Sequence, residues 1–291
     1  MSSQKTMNTK VVVQFIVLTF AIMLAAAAVE YTIAKTWGSM LVMEESGGFS
    51  FGNNAVFGII AATLGALSPA FASFIVLKKN SEVKSLKQWL RNVFYFKTKV
   101  SHYIFVIIGV IAYFAVHIAF SGLTETMPIN LLFVIIPLAL IAGGMEEAGW
   151  SYILQPELTK KYGFMLSSIF TGLVWWAWHV PIFFIPGTSH YEVWNIWMYL
   201  FTLVGMRFFF GAILEISGKA GVCLSVLQHT LFNAFAMIYI FLPTNWTASL
   251  IDFALTIFLS VLMVYRHRKK QTQKEAGNFE KGGNNNNMVR G

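Results

Sequence analysis

The chain has 291 residues, of which 56% are hydrophobic, 16% aromatic and only 12% charged, with a mean hydropathy of +0.62. Soluble domains carry about 25% charged residues, so this composition excludes a soluble globular protein and describes an all-α polytopic membrane protein. The net charge of +8 follows from where lysine and arginine fall and calls for no nucleic-acid partner, while a lone cysteine, Cys223, excludes an intrachain disulfide.

A bilayer crossing takes about 20 apolar residues. Such runs lie at roughly 11–34, 55–77, 102–120, 130–154, 165–186, 193–216, 221–241 and 247–265. They predict about eight transmembrane helices in a single membrane domain over residues 1–270. Lys5 and Lys10 precede the first run as in a signal peptide, but the run is longer than most cleaved segments and is expected to be retained. The loop 78–100 alternates Lys and Arg with Leu, Trp and Phe, the pattern of an amphipathic helix lying on anionic lipid. The tail 271–291, with Gly282-Gly283 followed by Asn284 to Asn287, reads as polar and disordered.

Charge placement orients the bundle. Two cations precede the first run, seven fall in 78–100, two at Lys160 and Lys161, one at Lys219 and seven from Arg266 onward, leaving Lys35 and Arg207. Positive charge marks the cytoplasmic side, so both termini are expected there, in a multi-pass protein of a bacterial cell membrane. Membrane lipid is its expected surroundings.

Two adjacent acids, Glu146 and Glu147, stand near the end of the fourth run. A carboxylate costs roughly 2.5–3.5 kcal/mol at the centre of a membrane helix, so the pair demands a compensating environment. The fifth run contains His179, four residues after Trp175, and the seventh contains His229 and Asn233 at the same spacing. That spacing puts each pair on one helix face. At ~1.5 Å per residue from the cytoplasmic ends, Glu146 lies ~14 Å deep, His229 ~12 Å and His179 ~21 Å, with Pro181 placed to bend the helix just after His179.

Glu, His, His and Asn from three helices form a hydrolytic set. A carboxylate withdrawn from water serves as general base; a histidine opposite holds the water; a histidine and asparagine one turn apart donate to a developing oxyanion. Glu146, His179 and His229 are also a possible ligand set for a divalent metal, although the His-Glu-x-x-His signature is absent. A lone membrane histidine more often bonds a neighbouring helix, and His117 reads that way. His102, His190 and His267 read as solvated, and Trp175, Trp176 and Trp178 as packing or interface residues.

The stretches Glu146-Glu147-Ala-Gly-Trp150-Ser151, Trp175-x-x-x-His179 and His229-x-x-x-Asn233 resemble the three ordered motifs of the CAAX protease and bacteriocin-processing family. These intramembrane endopeptidases include the type II CAAX prenyl endopeptidases. The resemblance covers about 131–241. It implies that Glu146 activates the attacking water, His179 positions it, His229 and Asn233 form the oxyanion hole, and Glu147 supports the site. Ser151 stands where the family has arginine and Trp175 where it has phenylalanine. The aromatic exchange is expected to preserve packing. Arg207 is the one cation inside a core helix and, unless Glu215 pairs with it, is the expected substitute for the missing arginine.

The leading expectation is therefore an endopeptidase cleaving a peptide or small protein with a glutamate-activated water, in peptide or bacteriocin processing or self-immunity. No nucleotide or redox cofactor is implied; a divalent metal stays an open alternative. A non-catalytic immunity or peptide-binding protein on the same scaffold is the second reading, and a small transporter built on intramembrane acids and histidines the third.

Overall fold

A computed structural model describes residues 6–38, 41–43, 49–51, 55–122, 128–238 and 245–288. Apart from one hairpin pairing β1 (Leu41–Met43) with β2 (Phe49–Phe51), the described residues build helices. In chain order these are α1 (Thr9–Trp37), α2 (Ala55–Ala66), α3 (Ser68–Lys79), α4 (Leu86–Val93), α5 (Val100–Ser121) and α6 (Leu132–Ala142). The single turn α7 (Glu147–Gly149) leads into α8 (Gln155–His179); the single turn α9 (Ser189–Glu192) precedes α10 (Ile196–Ser217), α11 (Gly221–Ile238) and α12 (Trp246–Met288). The protein is an all-α polytopic membrane protein.

Among the described residues, five helical stretches are long and apolar enough to cross a membrane, or six if α2 and α3, bent by 47° at Leu67, make one span. Two of them, Ile129–Phe184 with 56 residues and Ile196–Ile238 with 43, exceed one crossing, and each reverses at a glycine of positive φ. At Gly163 (φ 72°) the chain folds back so that Gln155 Nε2 bonds Ser168 Oγ at 3.0 Å and Thr159 Oγ1 lies 2.8 Å from Ser167 Oγ. At Gly218 (φ 55°), α10 returns as α11. Each long stretch thus holds two of the apolar runs expected from the sequence. Residues 239–241 of the seventh run lie outside the described residues.

At the centre is α10. In the stretch 196–238, 72% of the most apolar window is buried, against 28% in α5 and in α12. Its sequence explains this: Leu203 to Ile213 is apolar on every face save Arg207, and such a helix is buried all round. Helices α8, α11 and α12 surround it, while α5 and α6 expose Ile108, Ile111, Phe133 and Val134. Those exposed faces suit lipid.

The apolar face of α4 is divided: Leu86 and Leu90 stay exposed, while Trp89 and Val93 are buried, and Trp89 Nε1 donates to Ser73 Oγ at 3.1 Å with its ring edge-on to Phe74. A neighbouring helix face was available, and the indole needed an acceptor. α12 runs on to Met288, with Gln271 bonded to His267 and Thr272 to Arg268 along the helix. Residues 289–291 lie outside the described residues.

Candidate active site

The two glutamates sit where the fourth run stops being a regular helix. α6 ends at Ala142, and a 3-10 turn (Gly144–Glu146), α7 and a π-helical turn (Trp150–Leu154) follow before α8. Close packing explains the glycines there. A Cβ on Gly143 would come 2.0 Å from Asn233 Nδ2 and 3.2 Å from His229 Nε2, and one on Gly144 would come 2.1 Å from Thr230 Oγ1. On Gly149 it would lie 2.7 Å from the Pro69 carbonyl oxygen. Only bare backbone lets this segment press against α11 and α3 at once. Irregular backbone at membrane depth is tolerated where protein buries it, and here the irregularity points both carboxylates inward: Glu146 is 3% exposed and Glu147 fully buried.

Each side chain of Glu147 and its partners answers another. Arg207 Nη1 donates to Glu147 Oε2 at 2.7 Å, and Ser151 Oγ donates to the same oxygen. Arg207 Nη2 reaches Ser151 Oγ at 3.0 Å and Gln155 Oε1 at 2.6 Å, while Nε reaches Gln155 Oε1 at 3.1 Å. Gln155 Nε2 returns a bond to the Arg207 carbonyl oxygen at 3.0 Å. The guanidinium also lies over the rings of Phe210 and Trp175, 4.6 and 5.5 Å from their centroids. A buried ion pair is tolerable only when its remaining donors and acceptors are satisfied, and this one nearly completes the guanidinium's set. Glu215 pairs instead with Arg268 at 2.8 Å. Arg207 therefore stands beside Glu147 and Ser151.

Glu146 sees a different environment. Its Oε2 accepts from Trp175 Nε1 at 2.7 Å and from Trp150 Nε1 at 3.3 Å. The Trp175 ring lies 5.3 Å from the His229 ring and 5.6 Å from the His179 ring. His179 Nδ1 is 2.9 Å from the Trp175 carbonyl oxygen. A carbonyl only accepts, so Nδ1 carries the proton and Nε2 keeps its lone pair. His229 Nδ1 faces Glu147 Oε1 at 3.2 Å, leaving its Nε2 toward Gly143 and Asn233. Glu146, Glu147, His179, His229 and Arg207 are thus gathered in one buried cluster, with half-buried Asn233 beside Gly143.

Glu146, His179 and His229, the open alternative for a metal, meet around the Trp175 indole. Among the described residues, no three His, Cys, Asp or Glu side chains are grouped to hold a metal ion.

Several side chains were misjudged from sequence. Trp175, read as a packing or interface residue, donates a hydrogen bond into the site. His190 is not solvated: its ring stacks on His179 at 5.4 Å and meets Phe183 and Tyr199 edge-on at 5.1 and 4.9 Å. The turn that carries it is tied by Thr188 Oγ1 to the carbonyls of Ile182 and Ile185. His117 Nε2 makes no interhelical bond; the ring packs on Tyr113 at 4.5 Å.

Gly143→Ala tests the close approach of this segment to α11. The added methyl must displace Asn233 and His229, so turnover of any substrate is expected to fall about 10²-fold, the scale of losing one oxyanion donor. Thermal unfolding should shift only slightly, since the clashing atoms end mobile side chains. Wild-type turnover in this variant would separate Asn233 from the reaction.

Residues 128–235 match the family described as Type II CAAX prenyl endopeptidase Rce1-like. A curated relative, CAAX prenyl protease 2 of Methanococcus maripaludis, is 28% identical over 135 residues, covering 43% of this chain and 45% of the relative. The match therefore spans less than half the length of that protein. The family segment contains Glu146, Glu147, His179, Arg207, His229 and Asn233, so the resemblance falls on the helices that build the buried cluster. Over residues 128–235, this chain is similar to the Rce1-like CAAX prenyl endopeptidases.

Proposed function

We propose that the chain is an intramembrane endopeptidase in which Glu146 activates a water for attack on a peptide bond. The observation that carries this reading is the convergence of Glu146, His179 and His229 about Trp175 inside the segment that resembles the Rce1-like endopeptidases.

The chemistry follows from which atoms are already engaged. Glu146 Oε2 is held by two indoles, so Oε1 takes the proton from water as the water oxygen bonds to the carbonyl carbon. His179 Nε2 accepts a hydrogen bond from the other water O–H, which stays on the attacking oxygen, and so aims the nucleophile. The carbonyl electrons move to oxygen, where Asn233 Nδ2 and His229 Nε2 receive the charge. His229 Nδ1–H points at Glu147, so donation from Nε2 requires the doubly protonated ring. With both carboxylates ionised, Arg207 and that ring balance them, and the buried set is neutral. Collapse breaks the C–N bond, and Glu146 returns its proton to the departing amine. Atoms and charge are conserved, and no redox cofactor enters.

The substrate is a peptide or small protein reached from the cytoplasmic side or from lipid, in processing or self-immunity, in a cell membrane with both termini cytoplasmic. The relative's name supplies the first probe: an internally quenched peptide ending in a farnesylated Cys-aliphatic-aliphatic-X sequence, beside its unprenylated twin, offered to the full chain in lipid vesicles. Cleavage of the farnesylated peptide alone assigns prenylated substrates; cleavage of both assigns a broader peptidase. Retention of the peptides on the protein without cleavage would overturn the enzyme in favour of a binding protein.

A further inference from the structure

We infer that Trp175, with Trp150 as its weaker partner, is a positioning residue that clamps the Glu146 carboxylate and commits one of its two oxygens to the water. This inference deepens the peptidase reading and rests on it. Its physical basis is the direction of the two indole N–H groups. Both point at Oε2, from 2.7 Å and 3.3 Å, and no bond of this kind reaches Oε1 among the described residues. A buried carboxylate held on one oxygen by two fixed donors keeps its plane and leaves the other oxygen as the proton acceptor.

Trp175 is suited to this work because it touches each other part of the site. Its carbonyl oxygen accepts from His179 Nδ1 at 2.9 Å, its ring lies edge-on to His229, and the Arg207 guanidinium sits over its face. The ring is 1% exposed, and Trp150 is fully buried with Phe15 and Trp178 edge-on against it, so neither indole can turn away. The other tryptophans of α8 spend their N–H groups elsewhere: Trp176 on the Ile196 carbonyl oxygen at 2.9 Å and Trp178 on Ser68 Oγ at 3.0 Å. Phenylalanine in place of Trp175 would pack and could not donate. The departure from the family's aromatic is therefore a gain of function for the side chain, not a change of filler.

The test pairs a kinetic reading with one that needs no turnover. In the full chain labelled at indole nitrogen, the Trp175 N–H resonance is expected to move when Glu146 becomes Gln, while the Trp176 resonance stays in place. With the quenched peptides, Trp175→Phe should lower kcat at least 10-fold with KM within about twofold, Trp150→Phe should cost less, and Trp176→Phe should turn over as wild type. An unmoved Trp175 resonance, or Trp175→Phe at wild-type kcat, overturns the clamp. Should the wild-type chain cleave neither peptide, the peptidase reading loses its support on those substrates, and the indole resonance alone decides whether Trp175 holds Glu146.

Discussion

Glu146→Gln is expected to lower kcat about 10²–10⁴-fold, the contribution of a positioned general base, with the fold retained. The amide keeps the volume of the acid and still offers a carbonyl oxygen to Trp175 Nε1, so the hydrogen bond now at 2.7 Å has an acceptor. What the amide lacks is the second anionic oxygen that takes the proton from water. Cleavage rate and melting temperature measured on the same preparation separate the two effects. An unchanged rate, or an immunity phenotype that survives the substitution, would remove Glu146 from the chemistry and favour the binding-protein reading.

Arg207→Met should be the most destabilising single change in the site, costing about 3–5 kcal/mol, because it leaves a fully buried carboxylate at Glu147 without its cation. Gln155 would lose two donors to its Oε1 and Ser151 one. The paired change Glu147→Gln with Arg207→Met removes both charges, and a buried pair replaced together is often near neutral. Unfolding of the four proteins should therefore give a coupling energy at least as large as the Arg207→Met loss itself, about 3–5 kcal/mol. Additive losses would show that Glu147 and Arg207 act independently and that Ser151 has no distant substitute for the family's arginine. If the double variant folds but cleaves poorly, Glu147 contributes to catalysis through His229 Nδ1 as well as to stability.

The membrane class, the apolar runs and the pairing of His229 with Asn233 were legible because they rest on local quantities: hydropathy over about 20 residues and the i,i+4 geometry of a helix. The break at 143–154 was not legible. Its glycines and glutamates stand inside a run long enough to cross as one helix, and the reason for the break is the close approach of α11 and α3 to Gly143, Gly144 and Gly149, which lie far from those partners in sequence. The same limit hid the burial of Trp89 and Val93 on α4. A helix with one apolar face needs something to cover it, and the pattern does not distinguish lipid from the Ser73 and Phe74 side of α3.

Sequence by itself determined which residues are costly in a membrane and so must be compensated: Glu146, Glu147, His179, His229 and Arg207. It also placed them on successive apolar runs. Only the tertiary structure decided who compensates whom. Arg207 meets Glu147 across 60 residues and Trp175 meets Glu146 across 29. The two neighbouring acids thereby acquire unlike partners, one a guanidinium and the other a pair of indoles. That asymmetry arises from which neighbouring helix each carboxylate faces once Gly143 ends the regular helix, a direction in space that the order of residues does not encode locally.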